Sequence, residues 1–271
     1  VSAAAQALRI HRATVNRHID ALEDEIGSRI FIRHARGYTL TETGEDVLRV
    51  AQKTDDLIAD LSCRVQGQRA RIEGEIKLSI LPAFAPLILD AVAAFRAENP
   101  QCRVQINASD DLARLEYAEA HVAIRAGAKP DNPDYVVQLF STIGIGLYAH
   151  KSYIERKGMP HSVEDLSQHE FILPPGNKGR GPFWPWVRQN IDPRQITVSS
   201  DDLQFCGQAV TSGLGLGFLF DDSVQGKPDM VEVIPRLEEW KAALWLVTHV
   251  DLHRTEKVDA MLRQLKANRR R

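Results

Sequence analysis

Apolar residues recur with a helical period near the start of the chain. In the segment from residue 12 to residue 26, four of them follow one another at spacings of four, three and four: Val15, Ile19, Leu22 and Ile26. These spacings place the four side chains on one buried face of a helix. A shorter helix is predicted before it, over residues 2–8, because a capping serine, Ser2, precedes strong helix formers. The pattern therefore predicts two helices joined by a short turn.

Polar residues occupy the other face of the longer helix, close to its N-terminus. Ala13, Asn16 and Arg17 project away from the apolar stripe, and Arg12 and Thr14 lie on its flanks. The N-terminal residues of a recognition helix are those that reach base edges in the major groove of DNA. We therefore predict that these five residues contact DNA.

A basic hairpin is predicted after this helix. From residue 29 to residue 41, apolar and basic residues alternate around Arg36-Gly37, a pattern typical of two short strands joined by a glycine turn. Beside a recognition helix, such a hairpin forms a wing in which Arg33 and Arg36 face phosphates or the neighbouring minor groove. The alternative is a solvated basic hairpin without DNA contacts.

A long helix is predicted next, with Thr41 as its cap and an end near Arg71. Six residues within it follow spacings of four, three, four, three and four: Val47, Ala51, Thr54, Ile58, Leu61 and Val65. We call these six residues the linker stripe. The spacing is typical of a coiled coil, which predicts that the linker stripe pairs with a second copy of the chain. Packing against the chain's own core is the alternative.

The remaining two thirds of the chain have a different pattern. From Gly74 onward, apolar runs typical of strands occur at residues 76–81, 104–106 and 121–124. Helical stretches lie between them, at residues 85–98 and 110–118. Alternation of strands and helices predicts an α/β domain.

Charge is unevenly distributed along the chain. The formal net charge is only −2 at pH 7, but basic residues are concentrated in the first forty positions, at Arg9, Arg12, Arg17, Arg29, Arg33 and Arg36. Binding to nucleic acid depends on where charge is located rather than on its sum. The three cysteines, Cys63, Cys102 and Cys206, are scattered, which favours a reducing compartment over a disulfide framework or a zinc site.

Signals for catalysis and for membrane insertion are missing from the sequence. The run GLGLG at 213–217 places glycines at alternate positions, which is not the spacing of a dinucleotide-binding loop. No nucleophile with a matching base stands out. We therefore expect no enzyme activity, no cofactor and no metal site. No stretch approaches the length of a membrane span and no signal peptide opens the chain, so we expect a cytoplasmic protein.

An ordered set of motifs resembles the LysR-type bacterial transcriptional regulators. In the first part they are AAAQAL at 3–8, VNR at 15–17, ALEDEIG at 21–27, RIF at 29–31 and LTETG at 40–44. Later landmarks are GEIKL at 74–78, VAIR at 122–125, GMP at 158–160, EDL at 164–166 and the GLGLG run. The resemblance covers nearly the whole chain.

The resemblance implies a multidomain architecture. Residues 1–41 would form a winged helix-turn-helix, residues 42–73 a dimerising linker helix, and residues 74–271 an α/β effector domain with two lobes like those of a periplasmic binding protein. Lobe I would comprise residues 74–148 and 245–271, and lobe II residues 149–244. In this family the segment that starts just after Val1 is the second helix of the winged helix-turn-helix. We therefore expect the winged helix-turn-helix of this chain to be truncated at its N-terminus.

The resemblance also implies a ligand site between the lobes. Three segments supply it, and the candidate ligand-binding residues are Ala83, Phe84, Arg125, Gly127, Ser200 and Asp201. Many relatives have a serine or threonine in the first of these segments, whereas this chain offers only backbone donors there. A guanidinium can hold a carboxylate in two-pronged fashion, so Arg125 predicts a carboxylate effector. A surface ion pair is the alternative role for Arg125.

The function implied is that of a sequence-specific DNA-binding transcriptional regulator controlled by a small-molecule co-inducer. Its expected partners are double-stranded DNA with an interrupted palindrome, the small-molecule effector, and further copies of the chain in a homodimer or homotetramer. RNA polymerase is a candidate partner. The alternative is a small-molecule (solute) binding protein without a DNA role, because the effector portion alone has that architecture.

Overall fold

The computed structural model describes residues 1–34, 37–66, 72–109, 112–175 and 181–269. The chain forms two compact units. Unit 1 comprises residues 1–70 together with 114–119, and unit 2 comprises residues 71–113 together with 120–271. The winged helix-turn-helix and the linker helix thus belong to one unit, and most of the effector domain belongs to the other.

Unit 1 begins with the two predicted helices. Its described elements are α1 (Ser2–Leu8), α2 (Arg12–Ile26), β1 (Phe31–His34), β2 (Gly37–Leu40) and α3 (Glu42–Gln66). Helix α2 begins where the Nδ1 atom of His11 accepts a hydrogen bond from the Ala13 N–H, and it ends at Gly27, whose φ of 72° is left-handed. The prediction that Ser2 caps the first helix is wrong: α1 has Val1 at its N-cap and no side-chain cap.

The apolar stripe of α2 is less buried than its spacing predicts. Val15 is 8 % exposed, whereas Leu22 and Ile26 are 38 % and 41 % exposed. The expectation of one buried face therefore fails at the C-terminal end of α2. Helical periodicity shows which residues share a face, but it does not show whether another element covers that face.

Helix α3 begins as predicted. The Thr41 hydroxyl accepts a hydrogen bond from the Gly44 N–H at 3.0 Å and donates one to the Arg29 carbonyl at 2.7 Å. The cap therefore also connects α3 to the start of the wing. The predicted end of the helix near Arg71 lies outside the described residues, because the described helix ends at Gln66.

Lobe I of unit 2 is built on a five-stranded sheet. Its strands are β3 (Gly74–Ile80), β4 (Cys102–Ala108), β5 (Val122–Ala126), β6 (Tyr135–Ile143) and β12 (Ala242–His249), in the order β4-β3-β5-β12-β6. Strand β3 is parallel to β4 and β5, and β12 is antiparallel to β5 and β6. The helices α4 (Ala85–Glu98) and α9 (Glu256–Ala267) contribute the buried Phe95 and Met261 to the core of this lobe.

Not every element predicted for residues 74–148 is present. The strands predicted at 76–81, 104–106 and 121–124 are β3, β4 and β5, and the helix predicted at 85–98 is α4. The helix predicted at 110–118 is wrong, since the described residues 112–118 contain only a single 3-10 turn, Leu115–Tyr117. Ala118 then adopts a left-handed φ of 53°, which ends the turn.

Lobe II contains two small sheets and four helices among its described residues. The strands β10 (Gly217–Phe220), β7 (Ile145–His150) and β11 (Met230–Glu232) form one antiparallel sheet, and β8 (Phe171–Ile172) and β9 (Ile196–Val198) form a parallel pair. The helices are α5 (Lys151–Lys157), α6 (Trp184–Asn190), α7 (Leu203–Thr211) and α8 (Asp221–Val224). The largest side chains of the lobe core are aromatic, including Tyr153, Phe171 and Trp240.

The chain crosses between the lobes earlier than predicted in both directions. Strand β6 ends in the sheet of lobe I at Ile143, and β7 begins in the sheet of lobe II at Ile145, so the first crossing is at Gly144 rather than after residue 148. The return crossing lies between Trp240, in the core of lobe II, and Ala242, the first residue of β12. The lobe boundaries are therefore at Gly144 and just before Ala242, rather than after residues 148 and 244. Because β7 is buried on both faces, the apolar run of the sequence continues through Gly144 and does not mark the crossing.

Candidate nucleic-acid interface and ligand cleft

The residues predicted to contact DNA differ in how accessible they are. Arg12, Ala13 and Arg17 are exposed on α2, whereas Thr14 and Asn16 are half-buried. The Asn16 side-chain oxygen accepts a hydrogen bond from the Tyr38 hydroxyl at 3.3 Å. Because Tyr38 belongs to β2, Asn16 holds the second strand of the wing against the recognition helix.

The predicted wing is present, and its first strand is fixed to α2. Arg33 of β1 forms an ion pair with Asp20 of α2, and its guanidinium lies 5.7 Å from the centre of the Tyr38 ring. Arg33 therefore holds the wing against α2, and any contact that it makes with a DNA phosphate competes with this ion pair. Arg36, the other predicted wing residue, lies outside the described residues.

A buried carboxylate orients the start of the wing. Glu23 is 4 % exposed, and its oxygens accept hydrogen bonds from the Arg29 guanidinium at 2.6 Å, the Ile30 N–H at 2.9 Å and the Phe31 N–H at 3.1 Å. Burial alone would raise the pKa of this carboxyl, but the three hydrogen bonds outweigh burial and lower the pKa. The sequence pattern does not single out Glu23 for this role, because Asp20 and Glu25 also adjoin residues of the apolar stripe of α2.

The linker stripe is exposed within a single chain. Val65 is 78 % exposed, Ile58 57 % and Leu61 53 %. Ala51 and Thr54 are also exposed, whereas Val47 is half-buried. Two further apolar residues, Val50 and Leu57, lie exposed beside the stripe. In the described part of the chain, α3 does not bury this face against its own core.

A cavity of about 360 Å³ lies between the two lobes of unit 2. Lobe I contributes residues that directly follow the carboxyl ends of two parallel strands, β3 and β4, and lobe II contributes the start of α7. The lining residues are Leu81, Pro82, Ala83, Ser109, Asp201, Asp202, Leu203 and Gln204. Clefts at the carboxyl ends of parallel strands are the usual ligand sites of α/β folds.

Two of the six predicted ligand-binding residues line this cavity, namely Ala83 and Asp201. Phe84 is fully buried, and its N–H already donates to the Leu81 carbonyl at 2.9 Å, so its predicted backbone contact with a ligand is wrong. The Ser200 hydroxyl accepts from the Asp202 N–H at 3.1 Å. Ser200 therefore shapes the turn before α7 rather than the cavity lining.

The other two predicted residues are held by their own lobe. Arg125 donates to the Ala113 carbonyl at 2.7 Å and stacks over the Tyr135 ring. The Gly127 carbonyl accepts from the Trp245 indole at 2.8 Å. Four lining residues were not predicted from the sequence, namely Leu81, Ser109, Leu203 and Gln204. Ser109 was detectable in principle, because it directly follows the second parallel strand.

The described residues contain no cluster of three or more His, Cys, Asp or Glu side chains suited to a metal ion. Among the described helices, none combines the length and the apolar character needed to cross a membrane.

Comparison with known proteins agrees with this division of the chain. Residues 1–45 match the family model described as bacterial regulatory helix-turn-helix protein, lysR family, and residues 69–270 match the LysR substrate binding domain. The chain is 32 % identical over 238 residues to the HTH-type transcriptional regulator IlvY of Escherichia coli, covering 84 % of this chain and 78 % of that relative. It is 25 % identical over 245 residues to the regulator CrgA of Neisseria meningitidis, covering 88 % and 80 %.

Solved structures show the same fold. A full-length OxyR variant from Pseudomonas aeruginosa matches with a TM-score of 0.71 and 20 % identity, covering 98 % of this chain and 89 % of that one. Full-length CbnR complexed with its target DNA matches with a TM-score of 0.61 and 18 % identity, covering 98 % and 93 %.

Proposed function

Because this chain belongs to the LysR family of bacterial transcriptional regulators, we propose that it reads DNA through the exposed part of α2 and responds to a small molecule held between the lobes of unit 2. It is a DNA-binding transcriptional regulator with an effector-binding domain, and its family consists of regulators rather than enzymes. Because it acts on DNA, we propose that it is located in the bacterial cytoplasm.

The DNA contacts are proposed to divide into two groups. Arg12, Ala13 and Arg17 are exposed near the N-terminus of α2, where they can reach base edges and phosphates. Asn16 and Arg33 act mainly by holding the wing in place, because both already bond to residues of the neighbouring element. A rigid wing contributes to affinity by presenting its backbone and basic residues to phosphates at a constant distance from the recognition helix.

The linker stripe is proposed to pair two chains. Three of its apolar residues, Ile58, Leu61 and Val65, are more than half exposed, and a continuous apolar stripe at heptad spacing is stable in water when a second helix covers it. A pair of readers held at a constant separation matches an interrupted palindrome, as the sequence predicts. Further assembly into a tetramer and contact with RNA polymerase remain proposals of the same kind.

The lining of the cavity supports a change in the expected effector. Its charged side chains in the described residues are Asp201 and Asp202, and the Asp202 carboxylate already accepts hydrogen bonds from the Gln204 and Phe205 N–H groups at the start of α7. Arg125, which predicted a carboxylate ligand, is bonded to the Ala113 carbonyl instead. A carboxylate ligand would meet like charge in this cavity. We therefore propose a neutral or cationic effector with an apolar part against Leu203.

The observation that carries the regulatory function is the exposed basic start of α2 beside a wing fixed to the same helix. The test is selection of binding sites from a random duplex library with the full chain, followed by titration of the selected duplex. Arg17→Ala should weaken specific binding by about 1–3 kcal/mol. Arg188→Ala removes the same charge from an exposed position on α6 and should leave binding unchanged. Unchanged affinity of Arg17→Ala for the selected duplex would contradict the proposed reading of DNA through α2.

The effector class is tested by thermal unfolding of the full chain in the presence of paired probes. Each pair consists of an amine and a carboxylate on the same carbon skeleton, for example cyclohexylamine and cyclohexanecarboxylate. The amine should raise the Tm of unit 2, and Asp201→Asn should remove the increase. An increase caused by the carboxylate alone would contradict the proposed class.

A further inference from the structure

A single glycine forms the first crossing between the lobes, and a carboxylate lies directly against it. Gly144 separates β6 of lobe I from β7 of lobe II, and its carbonyl accepts a hydrogen bond from the Asp221 N–H at 3.1 Å. A Cβ atom at position 144 would lie 2.2 Å from Oδ2 of Asp221. Any side chain at this position would therefore displace Asp221 from the crossing.

Asp221 is held in place by a network of lobe II residues. Its carboxylate accepts from the Arg236 guanidinium and, at 3.3 Å, from the Tyr148 hydroxyl. The same guanidinium donates to both oxygens of Glu232 at 3.1 Å and to the Tyr148 hydroxyl at 3.2 Å. We call these four residues, Tyr148, Asp221, Glu232 and Arg236, the crossing latch. A guanidinium with several partners has a well-determined position, so the latch holds Asp221 at a constant distance from Gly144.

An aromatic contact connects the crossing latch to the cavity. The Phe84 and Phe220 rings meet edge to face, with centroids 5.4 Å apart. Phe84 belongs to lobe I and directly follows the cavity residues Leu81, Pro82 and Ala83 in one 3-10 turn. Phe220 is the last residue of β10 in lobe II, packs against the cores of both lobes, and directly precedes Asp221. A continuous series of contacts therefore runs from the cavity lining through Phe84, Phe220 and Asp221 to Gly144.

We propose that the Phe84–Phe220 contact and the crossing latch form a switch that converts occupancy of the cavity into a change of the angle between the lobes. The proposal rests on the proposed function of the cavity as the effector site. A ligand that presses on the 82–84 turn moves Phe84, and a close-packed interior passes the displacement on to Phe220 instead of absorbing it. Asp221 then moves relative to Gly144. The ligand selects the lobe arrangement in which both the turn and the latch are unstrained.

The test measures the distance between the lobes in the full chain. Spin labels are placed at Glu98→Cys on α4 and Glu155→Cys on α5, both exposed. The background carries Cys63→Ser, and the remaining native cysteines, Cys102 and Cys206, are buried. Double electron–electron resonance then gives the distribution of distances between the lobes without any ligand.

Three substitutions should shift or broaden this distribution: Arg236→Met and Tyr148→Phe, which weaken the crossing latch, and Phe220→Leu, which removes the ring contact. Two matched controls should leave it unchanged. Arg188→Met removes an exposed guanidinium elsewhere in lobe II, and Phe183→Leu removes a ring of the lobe II core that stacks on Trp184 and Phe218 rather than on Phe84. Circular dichroism confirms folding of each variant, and Tyr148→Phe, the mildest change, keeps the test valid if a larger one unfolds the lobe.

A substitution in the cavity separates this proposal from the proposed effector site. Ala83→Leu fills part of the cavity and should shift the distance distribution of the otherwise unchanged chain, but it should cause no further shift when it is added to Phe220→Leu. An unchanged distribution in Arg236→Met, Tyr148→Phe and Phe220→Leu overturns the switch, whatever the cavity binds. A shift in those three variants but none in Ala83→Leu retains the latch as the determinant of the lobe angle and overturns its connection to the cavity.

Discussion

Gly44→Ala should destabilise the wing and the start of the linker helix, although alanine is the better helix former. Gly44 lies in the first turn of α3, and a Cβ atom there would lie 2.0 Å from the Ile30 carbonyl oxygen and 2.9 Å from its carbon. Both are backbone atoms, so the strain is relieved only if β1 and α3 move apart. The Ile30 carbonyl also accepts the Thr41 N–H, and that bond would be strained as well.

Two opposing effects determine the magnitude. Replacing glycine by alanine in an unobstructed helix stabilises it by about 0.5–1 kcal/mol. Overpacking costs about 1–3 kcal/mol, and a contact far inside the van der Waals distance with two backbone atoms belongs at the upper end of that range. The net destabilisation should therefore be about 2 kcal/mol.

Gly207 of α7 is the matched control. The nearest atom to its added Cβ is Cδ2 of Leu219 at 3.5 Å, an ordinary contact. Gly207→Ala should therefore stabilise α7 by about 0.5–1 kcal/mol. The same substitution in two helices of one chain should have opposite signs, because the space beside each glycine differs.

Amide hydrogen exchange measured by mass spectrometry is the suitable assay, since the two units need not unfold together. Peptides from residues 28–45 should exchange roughly 30-fold faster in Gly44→Ala, the equivalent of about 2 kcal/mol, and peptides from α7 about two- to fivefold slower in Gly207→Ala. Slower exchange in residues 28–45 of Gly44→Ala would refute the close packing of α3 against the Ile30 carbonyl.

Three further predictions follow from the contacts in unit 1. Ile58→Asp should abolish cysteine crosslinks between linker helices and the preference for a palindrome over a half-site, because an unpaired charge in a desolvated interface costs several kcal/mol. Ala59→Asp, at an exposed position of α3 outside the linker stripe, should change neither. Full retention of both properties in Ile58→Asp would place the dimer contact elsewhere. Tyr38→Phe removes the hydrogen bond to Asn16 and should raise the hydrogen-exchange rate of the β2 amides by a factor equivalent to about 1 kcal/mol. An unchanged rate would show that this hydrogen bond does not hold the wing. The lowered pKa of Glu23 means that its contribution to stability is present above the ordinary carboxyl pKa and lost as the pH falls through the lowered pKa. Glu23→Gln should therefore flatten the acid side of the pH profile for the stability of the winged helix-turn-helix. An unaltered profile would contradict this.

The sequence by itself determined the elements whose signals are local. The spacing of apolar residues predicted α2, the alternation of strand-like runs with helical stretches predicted α4, a threonine followed by a helical pattern predicted the start of α3 at Glu42, and alternation around a glycine turn predicted the wing. Each signal depends on residues within a few positions of one another, so propensity, capping and periodicity are sufficient to detect it. The family motifs added the order of the domains.

Tertiary structure decided where these elements meet. The cavity joins Ala83 to Asp201, more than a hundred positions apart, and the crossing latch joins Tyr148 to Arg236. Arg125 was predicted to face a ligand, yet the nearby Ala113 carbonyl accepts its hydrogen bond. Nothing in the local pattern distinguishes these outcomes, because a guanidinium or a carboxylate has the same preferences in any sequence context. Its role depends on which partner the fold brings within hydrogen-bond distance, and that is a property of packing between residues remote in the chain.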